Sequence, residues 1–449
     1  MLKTFEKCKK KEIDIEIFGL GYVGFPLAVW LSSAGWNVIG IDINEHRINR
    51  LKANILQDSE LFLKKQFLES LSKNNLQLST VSKLSTKPRI GLICVPTPIP
   101  NKQSSDVYVK SAVENFLKTS QKGDVIIIES SIEVGTTDKI KSIIESNGYE
   151  IGKDFGLAFC PERIDPNNQK WNLRNTPRVI YTSDDITFQI IERIYLDVTN
   201  SYLFRVSSSK TAEIVKSFEN TFRLVNISLV NELAILCDKL GINVSEVIQA
   251  ASTKPFGYMP FFPGAGAGGH CIPKDPIFLL ESSKKLGIKY TAIENALTTN
   301  QYVPKYIVNT INNLIEIKNL DKSVIVCGLA YKQDIEDMRD SSGFKLIKEF
   351  SENQFKVYAY DPFLKEELME KYLHENIMTE KNFITLPNLD DSHLKGKSCL
   401  CLVQHHSKTK FRINEIISNS IMPIIYDCQN KLDHKNTKSN ILSFGNNSF

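Results

Sequence analysis

No paired cysteine spacing runs through the chain, although it holds nine cysteines, and no zinc-binding pattern is present. An odd, scattered set excludes a disulfide framework and predicts a reducing compartment. Cys399 and Cys401 stand two apart in an apolar run, a spacing that alternates the faces of a strand rather than chelating a metal, so no metal is expected. Long apolar runs are missing too. The most apolar long segment, Phe222 to Leu240, is interrupted by Arg223, Asn226, Asn231, Glu232 and Asp238, so we expect no membrane span. No apolar stretch follows the cluster Lys7, Lys9, Lys10 and Lys11 within the first dozen residues, which predicts no secretory signal and a cytoplasmic protein. Neither sign of charge dominates: 55 basic against 51 acidic residues leave +4, so no nucleic-acid partner follows.

What is present is ordinary in bulk and specific in places. With 449 residues, 42% apolar and 24% charged, the chain has room for two or three soluble domains. From Lys254 to Pro276 it reads KPFGYMPFFPGAGAGGHCIPKDP. Gly264, Gly266, Gly268 and Gly269 let the backbone approach a bulky ligand closely, and Cys271 follows at once. Lys274 would favour the thiolate and Asp275 would hold water or relay a proton. The alternative is a small buried hydrophobe, and spacing alone leaves both open.

Near the start, a strand over Glu12–Phe18 leads into Gly19-Leu20-Gly21-Tyr22-Val23-Gly24, a helical pattern through Ala34, and a second strand, Asn37–Ile41, closing on Asp42. Strand, glycine turn, helix, strand and acid in that order predict a dinucleotide site. Gly19 would make the tight turn, Gly21 would admit the pyrophosphate, and Gly24 would pack helix on strand. Asp42 would bond the adenosine ribose and repel a 2′-phosphate, favouring NAD; Arg47 is the nearby cation that leaves NADP open. Strands at Ile90–Val95 and Asp124–Glu129 end in the Pro96-Thr97-Pro98 and Ser130–Thr137 loops, expected to line the nicotinamide half. A strand at Gly156–Phe159 delivers Cys160-Pro161-Glu162-Arg163 to the same edge, with Glu162 a candidate base.

From Ser209 to Leu240 one apolar stripe recurs at three- and four-residue steps, through Phe218, Phe222, Leu229 and Leu236. This predicts a long connecting helix and a dimer contact, with Lys216 and Asn220 one turn apart on the side away from the stripe. A second helix is expected over Thr291–Ile317. The opening pattern then returns without its full glycine set: a strand at Ser323–Cys327, a turn from Gly328 to Lys332, a helix at Ser341–Phe350, a strand at Lys356–Ala359, and Asp361. Strands at Ser398–Val403 and Pro423–Asp427 follow, and the last dozen residues are expected to fray. The fold class is α/β: two Rossmann-like, doubly wound parallel-sheet domains joined by a long central helix and a small helical domain. The expected domains are 1–208, 209–318 and 319–449.

Taken together, GLGYVG, VPTP, ESS…GTT, PER, VKSFENT, PGAGAGGHCIPKD and LAYKQDIEDMRDSS resemble the nucleotide-sugar dehydrogenases, the UDP-glucose/GDP-mannose dehydrogenase family. The resemblance runs from the first strand to about residue 430. It implies a four-electron oxidation of a sugar C6 alcohol to a carboxylate with two NAD⁺ and no free aldehyde, in surface-polysaccharide synthesis. Cys271 matches the nucleophile that forms a thiohemiacetal and then a thioester. Lys216 and Asn220 match the pair that stabilises an oxyanion, Asp275 the carboxylate that positions water, and Glu162 a second carboxylate near the sugar. The glycine fingerprint with Tyr22 and Val23, and Asp42, Arg47, Pro96, Thr97, Ser131 and Arg339, are the cofactor candidates. Glu162, Arg163, Lys216, Asn220, Lys254, Phe261, Gly264, Gly268 and Lys332 are the substrate candidates. Ser131 stands where the family more often has threonine, and Val134 replaces a frequent proline. The family usually dimerises through the central helix.

KPFGYMPFFPG and PERIDPNNQKWN are most similar to the branch acting on UDP-N-acetylglucosamine, with UDP-N-acetylmannosamine and UDP-glucose as alternatives. Two competing readings are a two-electron dehydrogenase of the 6-phosphogluconate type, which has no need of Cys271, and a non-catalytic nucleotide-sugar sensor.

Overall fold

The computed structural model describes residues 1–99, 105–163, 168, 170–376, 383–432 and 441–446. These gather into two compact units: Met1–Glu219 with Ile277–Ile288, and Asn220–Pro276 with Lys289–Phe449. The segment expected to form a separate middle domain is therefore divided between the two.

The first unit is built on an eight-stranded sheet: β1 (Asp14–Phe18), β2 (Asn37–Ile41), β3 (Leu76–Ser79), β4 (Arg89–Ile93), β5 (Val125–Ile128), β6 (Gly156–Phe159), β7 (Arg178–Thr182) and β8 (Leu203–Arg205), in the order 3-2-1-4-5-6-7-8. The central strands are buried on both faces because helices cover both sides of a parallel sheet. Val-Ile-Ile-Ile of β5 is wholly buried, each side chain stabilising the fold by roughly 1.5–3 kcal/mol. The β6–β7 pair is antiparallel, with Ala158 opposite Thr182, and is the exception to the parallel pattern. Three charges inside this sheet are matched: Arg89, fully buried, bonds Glu16 at 3.3 Å and Asp124 at 3.2 Å. They tie β1, β4 and the start of β5 together.

The second unit repeats the plan with six parallel strands, β9 (Ser323–Cys327), β10 (Lys356–Tyr360), β11 (Phe383–Thr385), β12 (Cys399–Leu402), β13 (Ile424–Asp427) and β14 (Ile441–Ser443), ordered 11-10-9-12-13-14. The frayed tail expected from the polar ending is corrected for 441–446; the remainder of the last dozen residues lies outside the described residues. Ile441–Ser443 pairs with β13, and Phe444 is fully buried with its ring centroid 5.9 Å from that of Tyr306. Three residues of edge strand are enough once a sheet is waiting for them.

The helix Ser209–Leu240 forms as expected, and much of its apolar stripe is turned outward. Phe218, Leu229, Leu236 and Leu240 are more than half exposed. The buried positions are Ser209, Ala212, Glu213, Ser217, Asn220, Thr221, Leu224, Ser228, Val230, Asn231, Ala234 and Cys237. A mostly polar face is turned inward because its partners are backbone groups: Ser228 Oγ donates to Ala296 O at 2.9 Å, and Asn231 Oδ1 accepts from Gly264 N at 3.0 Å. No helix among the described residues is long and apolar enough to cross a membrane.

Candidate active site

In the first unit, each glycine of the opening turn has a distinct reason. Gly19 sits at φ +91°, and a Cβ there would lie 2.7 Å from Cys94 O. A Cβ on Gly24 would lie 2.0 Å from Gly19 O, so helix and turn touch through it. Gly21 has nothing within 4 Å of where a Cβ would be, which leaves its outer side open. The helix Gly24–Ser33 that follows has no side-chain cap; Phe25 N donates to Gly21 O at 3.1 Å and Pro26 carries no N–H, so the helix dipole rather than a row of open donors is what its N-terminus offers an anion. Tyr22 is 44% exposed beside it.

Asp42 closes β2 and bonds the turn, its Oδ2 accepting from Leu20 N at 2.9 Å and its Oδ1 from Asn44 N at 2.9 Å. Arg47 donates Nε to Leu20 O at 3.1 Å and pairs through both Nη groups with Glu60. Its charge is thus already matched, which weakens the case for a 2′-phosphate. These residues fit NAD: an open glycine, a helix N-terminus with no side-chain cap and an acid at the end of β2.

Thr97 is buried and Pro96 exposed after β4, and Ser131 is half-buried after β5. Another helix N-terminus in this unit, that of Thr136–Ser146, is filled by the protein itself. Glu213 accepts from Gly135 N at 2.6 Å and from Thr137 N at 2.8 Å. After β6, Glu162 accepts from Arg163 N at 2.6 Å and from Arg178 Nη1 at 3.3 Å. Arg163 grips Glu219 through Nε at 3.2 Å and Pro177 O through Nη1 at 2.8 Å. Its charge is committed within the protein. The segment Ile164–Asn167, part of the sequence stretch that suggested the N-acetylglucosamine branch, lies outside the described residues.

In the second unit the glycine loop is pinned by two asparagines. Asn300 accepts from Ala267 N at 2.5 Å and donates to Ala267 O at 3.0 Å, while Asn231 receives Gly264 N. A Cβ on Gly269, at φ +85°, would lie 2.7 Å from the Tyr331 ring, and one on Gly268 would lie 2.9 Å from Asp340 O. The loop is therefore pressed against the LAYKQDIEDMRDSS segment, with Gly269 N donating to Arg339 O at 3.1 Å. Cys271 emerges from this packing as the exposed thiol; the other eight cysteines are buried or half-buried.

Around Cys271 the chain turns tightly, Lys274 N and Asp275 N both donating to Cys271 O, at 3.2 and 2.9 Å. Asp275, 1% exposed, accepts from Asn220 Nδ2 at 2.6 Å. His270 has Lys274 Nζ 3.5 Å from its Nδ1. Burial first, then the charges of Lys274 and Arg339, push its imidazole down to about 4, so it is neutral near pH 7. Arg339 is held by Asp337 at 2.6 Å and interacts electrostatically with Cys271. Asn220, Cys271, Asp275, Gly264, Gly268 and Arg339 are thus brought together within one unit. Phe261 packs its ring against Phe222 with centroids 5.9 Å apart, Lys254 is exposed over Phe256, and Lys332 is half-buried. Lys216, four residues before Asn220 on the same helix, is half-buried and makes no ion pair among the described residues.

Asp361, the counterpart of Asp42 in the second sheet, is occupied: it accepts from Leu329 N at 2.6 Å, Ala330 N at 2.9 Å and His406 Nε2 at 3.1 Å. A carboxylate so engaged has little capacity left for a ribose.

The sequence reading missed Asn231, Asn300, Asp337 and Arg178. The signal for the asparagines was present, since each is a polar residue set in an apolar helical stretch.

Three family models match the chain in order. They are the UDP-glucose/GDP-mannose dehydrogenase NAD binding domain over 13–199, the central domain over 210–302 and the UDP binding domain over 325–434. A UDP-N-acetyl-D-mannosamine dehydrogenase of Methanococcus vannielii is 32% identical over 435 residues, covering 95% of each chain. A UDP-N-acetyl-D-glucosamine 6-dehydrogenase of Pseudomonas aeruginosa is 31% identical over 81% of this chain and 86% of its own. The structure of a UDP-D-ManNAc dehydrogenase from Pyrococcus horikoshii matches with a TM-score of 0.84 at 28% identity, over 97% of this chain and all of that one. The chain belongs to the UDP-glucose/GDP-mannose dehydrogenase family and is an NAD-dependent nucleotide-sugar dehydrogenase.

Proposed function

We propose that this enzyme oxidises the C6 alcohol of a UDP-N-acetylhexosamine to the carboxylate, a four-electron reaction passing through covalent intermediates on Cys271. The observation that carries the proposal is the exposed thiol in a rigidly pinned glycine loop, next to the buried Asn220–Asp275 pair. NAD, when bound, accepts one hydride in each of the two oxidations. The Cys271 sulfur adds to the C6 aldehyde to give a thiohemiacetal, and loss of the second hydride leaves a thioester. Water then cleaves the acyl–sulfur bond and frees the thiol.

Lys274 on the thiol's own loop and Arg339 on the segment packed against it supply positive charge, which favours thiolate over thiol. Asn220 and Lys216 donate to the oxygen of the tetrahedral centre. Asp275, fixed by Asn220, receives protons or orders the hydrolytic water, and Glu162 holds the sugar side. Gly19, Gly21, Gly24 and Asp42 hold the dinucleotide, and Lys332 belongs to the nucleotide-sugar side. The exposed stripe of Phe218, Leu229, Leu236 and Leu240 supports a homodimer formed through the long helix.

The N-acetylglucosamine and N-acetylmannosamine readings stand level, since relatives of both names align at near-equal identity. The test is a panel of UDP-N-acetylglucosamine, UDP-N-acetylmannosamine and UDP-glucose with NADH followed by absorbance. Two NADH per sugar and an acid product are expected with an N-acetylhexosamine. One NADH with a released aldehyde overturns the four-electron reading, and preference for UDP-glucose overturns the substrate class.

A further inference from the structure

Behind Glu162 lies a buried ionic cluster that the proposed chemistry does not use. Arg178, the first residue of β7, is 4% exposed. Its Nη1 donates to Glu162 Oε2 at 3.3 Å, its Nη2 to Glu129 and to Cys160 O at 3.2 Å, and its Nε to Cys160 Sγ at 3.3 Å. The guanidinium lies 4.6 Å from the Tyr195 ring centroid, and the Tyr195 hydroxyl bonds the other oxygen of Glu129. Glu129 and Tyr195 are buried, whereas Glu162 is the cluster's outlet toward the surface, with 13% of its side chain exposed.

One carboxylate would suffice to balance a buried arginine. This arginine holds two, as Arg89 does elsewhere in the sheet, but here one of the two, Glu162, reaches the surface while Glu129 stays buried. The rigid fork of a guanidinium is suited to holding two groups at fixed angles at once. Both Glu162 oxygens are thereby engaged, Oε1 by Arg163 N and Oε2 by Arg178, so the carboxylate is held in one orientation. Glu162 follows β6 at the same carboxyl-terminal edge of the sheet where Asp42 follows β2.

We propose that Arg178, backed by Glu129 and Tyr195, is a positioning residue that fixes the Glu162 carboxylate for the reaction. The inference rests on the reading that Glu162 serves the sugar oxidation. It agrees with the state of Glu129, whose carboxyl burial pushes up to about 8, with Arg178 opposing and Glu162 adding to the shift. The charged and titratable groups around Glu129 are Arg178 on β7, Glu162 and Cys160 after β6, Tyr195 on the helix Asp185–Leu196, and Cys94 after β4.

The test compares Arg178→Gln, Arg178→Lys, Glu162→Gln and the double variant R178Q/E162Q with the intact enzyme. The readouts are kcat, KM for both substrates, NADH yield per sugar, the pH profile of kcat, and thermal unfolding. Arg178→Gln should lower kcat roughly ten- to a hundredfold, the loss typical of an orienting partner, with KM for NAD⁺ unchanged. In the Glu162→Gln background the same change should cost less than about threefold, because a residue acting through another is non-additive with it. Arg178→Lys keeps charge without the fork and should restore folding but only part of kcat. Equal factors in both backgrounds, or full activity of the folded Arg178→Lys protein, overturn the inference. Unchanged kcat in Glu162→Gln also overturns it, while two NADH per sugar in the same assay leaves the thiol chemistry of Cys271 standing.

Discussion

Asn220 Nδ2 donates to Asp275 Oδ2 across 2.6 Å, and neither side chain is more than 7% exposed. A carboxylate can only accept, so this contact decides which end of the Asn220 amide faces which way. Replacing Asn220 by alanine removes one donor from the oxyanion site and releases Asp275. We expect kcat to fall about a hundred- to a thousandfold, the usual cost of one such donor, with NAD⁺ affinity intact. Steady-state NADH production measures it; a loss under threefold would remove Asn220 from the chemistry. Asn220→Asp sets two buried carboxylates against each other and should be worse than alanine.

Cys271→Ala should bind NAD⁺ normally and form no acid. Without a sulfur to trap the aldehyde, the second oxidation has no covalent substrate, so NADH yield should fall from two per sugar toward one or none. Quantifying NADH and carboxylate in one reaction checks this. Acid formed at the unaltered rate would place the nucleophile elsewhere.

The parts of this protein legible in its sequence are those whose reasons are local. Gly19, Gly24 and Asp42 lie within one strand–turn–helix–strand unit; the structure shows the tight turn at Gly19 and the close packing at Gly24, and Asp42 closing β2 and accepting from Leu20 N. Both sheets follow from the same repeated pattern. What escaped has partners far along the chain: Asn300 answers Ala267, Arg178 answers Glu129, and Asn231, which read as an interruption of an apolar segment, answers Gly264. The long helix shows the limit most clearly. Periodicity finds its apolar stripe but cannot tell that backbone groups, Ala296 O as acceptor and Gly264 N as donor, draw the polar face inward.

Gly21 and Gly24 look alike in the sequence and should behave oppositely. A methyl at Gly24 would meet Gly19 O at 2.0 Å, so Gly24→Ala should unfold at markedly lower temperature. A methyl at Gly21 meets nothing, so Gly21→Ala should keep its Tm and lose NAD⁺ affinity because the added carbon stands where the pyrophosphate approaches. Thermal unfolding with NAD⁺ titration separates the two. Equal Tm losses would mean that the open side of Gly21 has no ligand to admit.

Cofactor choice turns on a pair the sequence could not connect, Arg47 and Glu60. With Glu60 holding the guanidinium, Asp42→Ser alone removes repulsion but gains no partner for a 2′-phosphate. Asp42→Ser combined with Glu60→Gln frees Arg47, and one new charge-assisted bond of about 1.5–3 kcal/mol corresponds to roughly ten- to a hundredfold in NADP⁺ affinity. The ratio of kcat/KM for NADP⁺ and NAD⁺ in the two variants measures it. No gain beyond the single variant would show that Arg47 does not face the ribose.

Glu129 gives the protein a pH dependence whose sign can be stated in advance. Burial raises its carboxyl to about 8 in the folded state, against an ordinary value of 4.5. Between those values the folded chain binds more protons than the unfolded one, so this group's stabilising contribution is complete below 4.5 and is lost as pH rises through about 8. The slope cannot exceed about 1.4 kcal/mol per pH unit for one proton. Glu129→Gln cannot titrate, so its Tm relative to the natural protein should climb between pH 5 and 8 and then level off. Parallel Tm curves across that range would mean that Glu129 is ionised throughout, and that Arg178 then balances two full negative charges in the dark of the sheet.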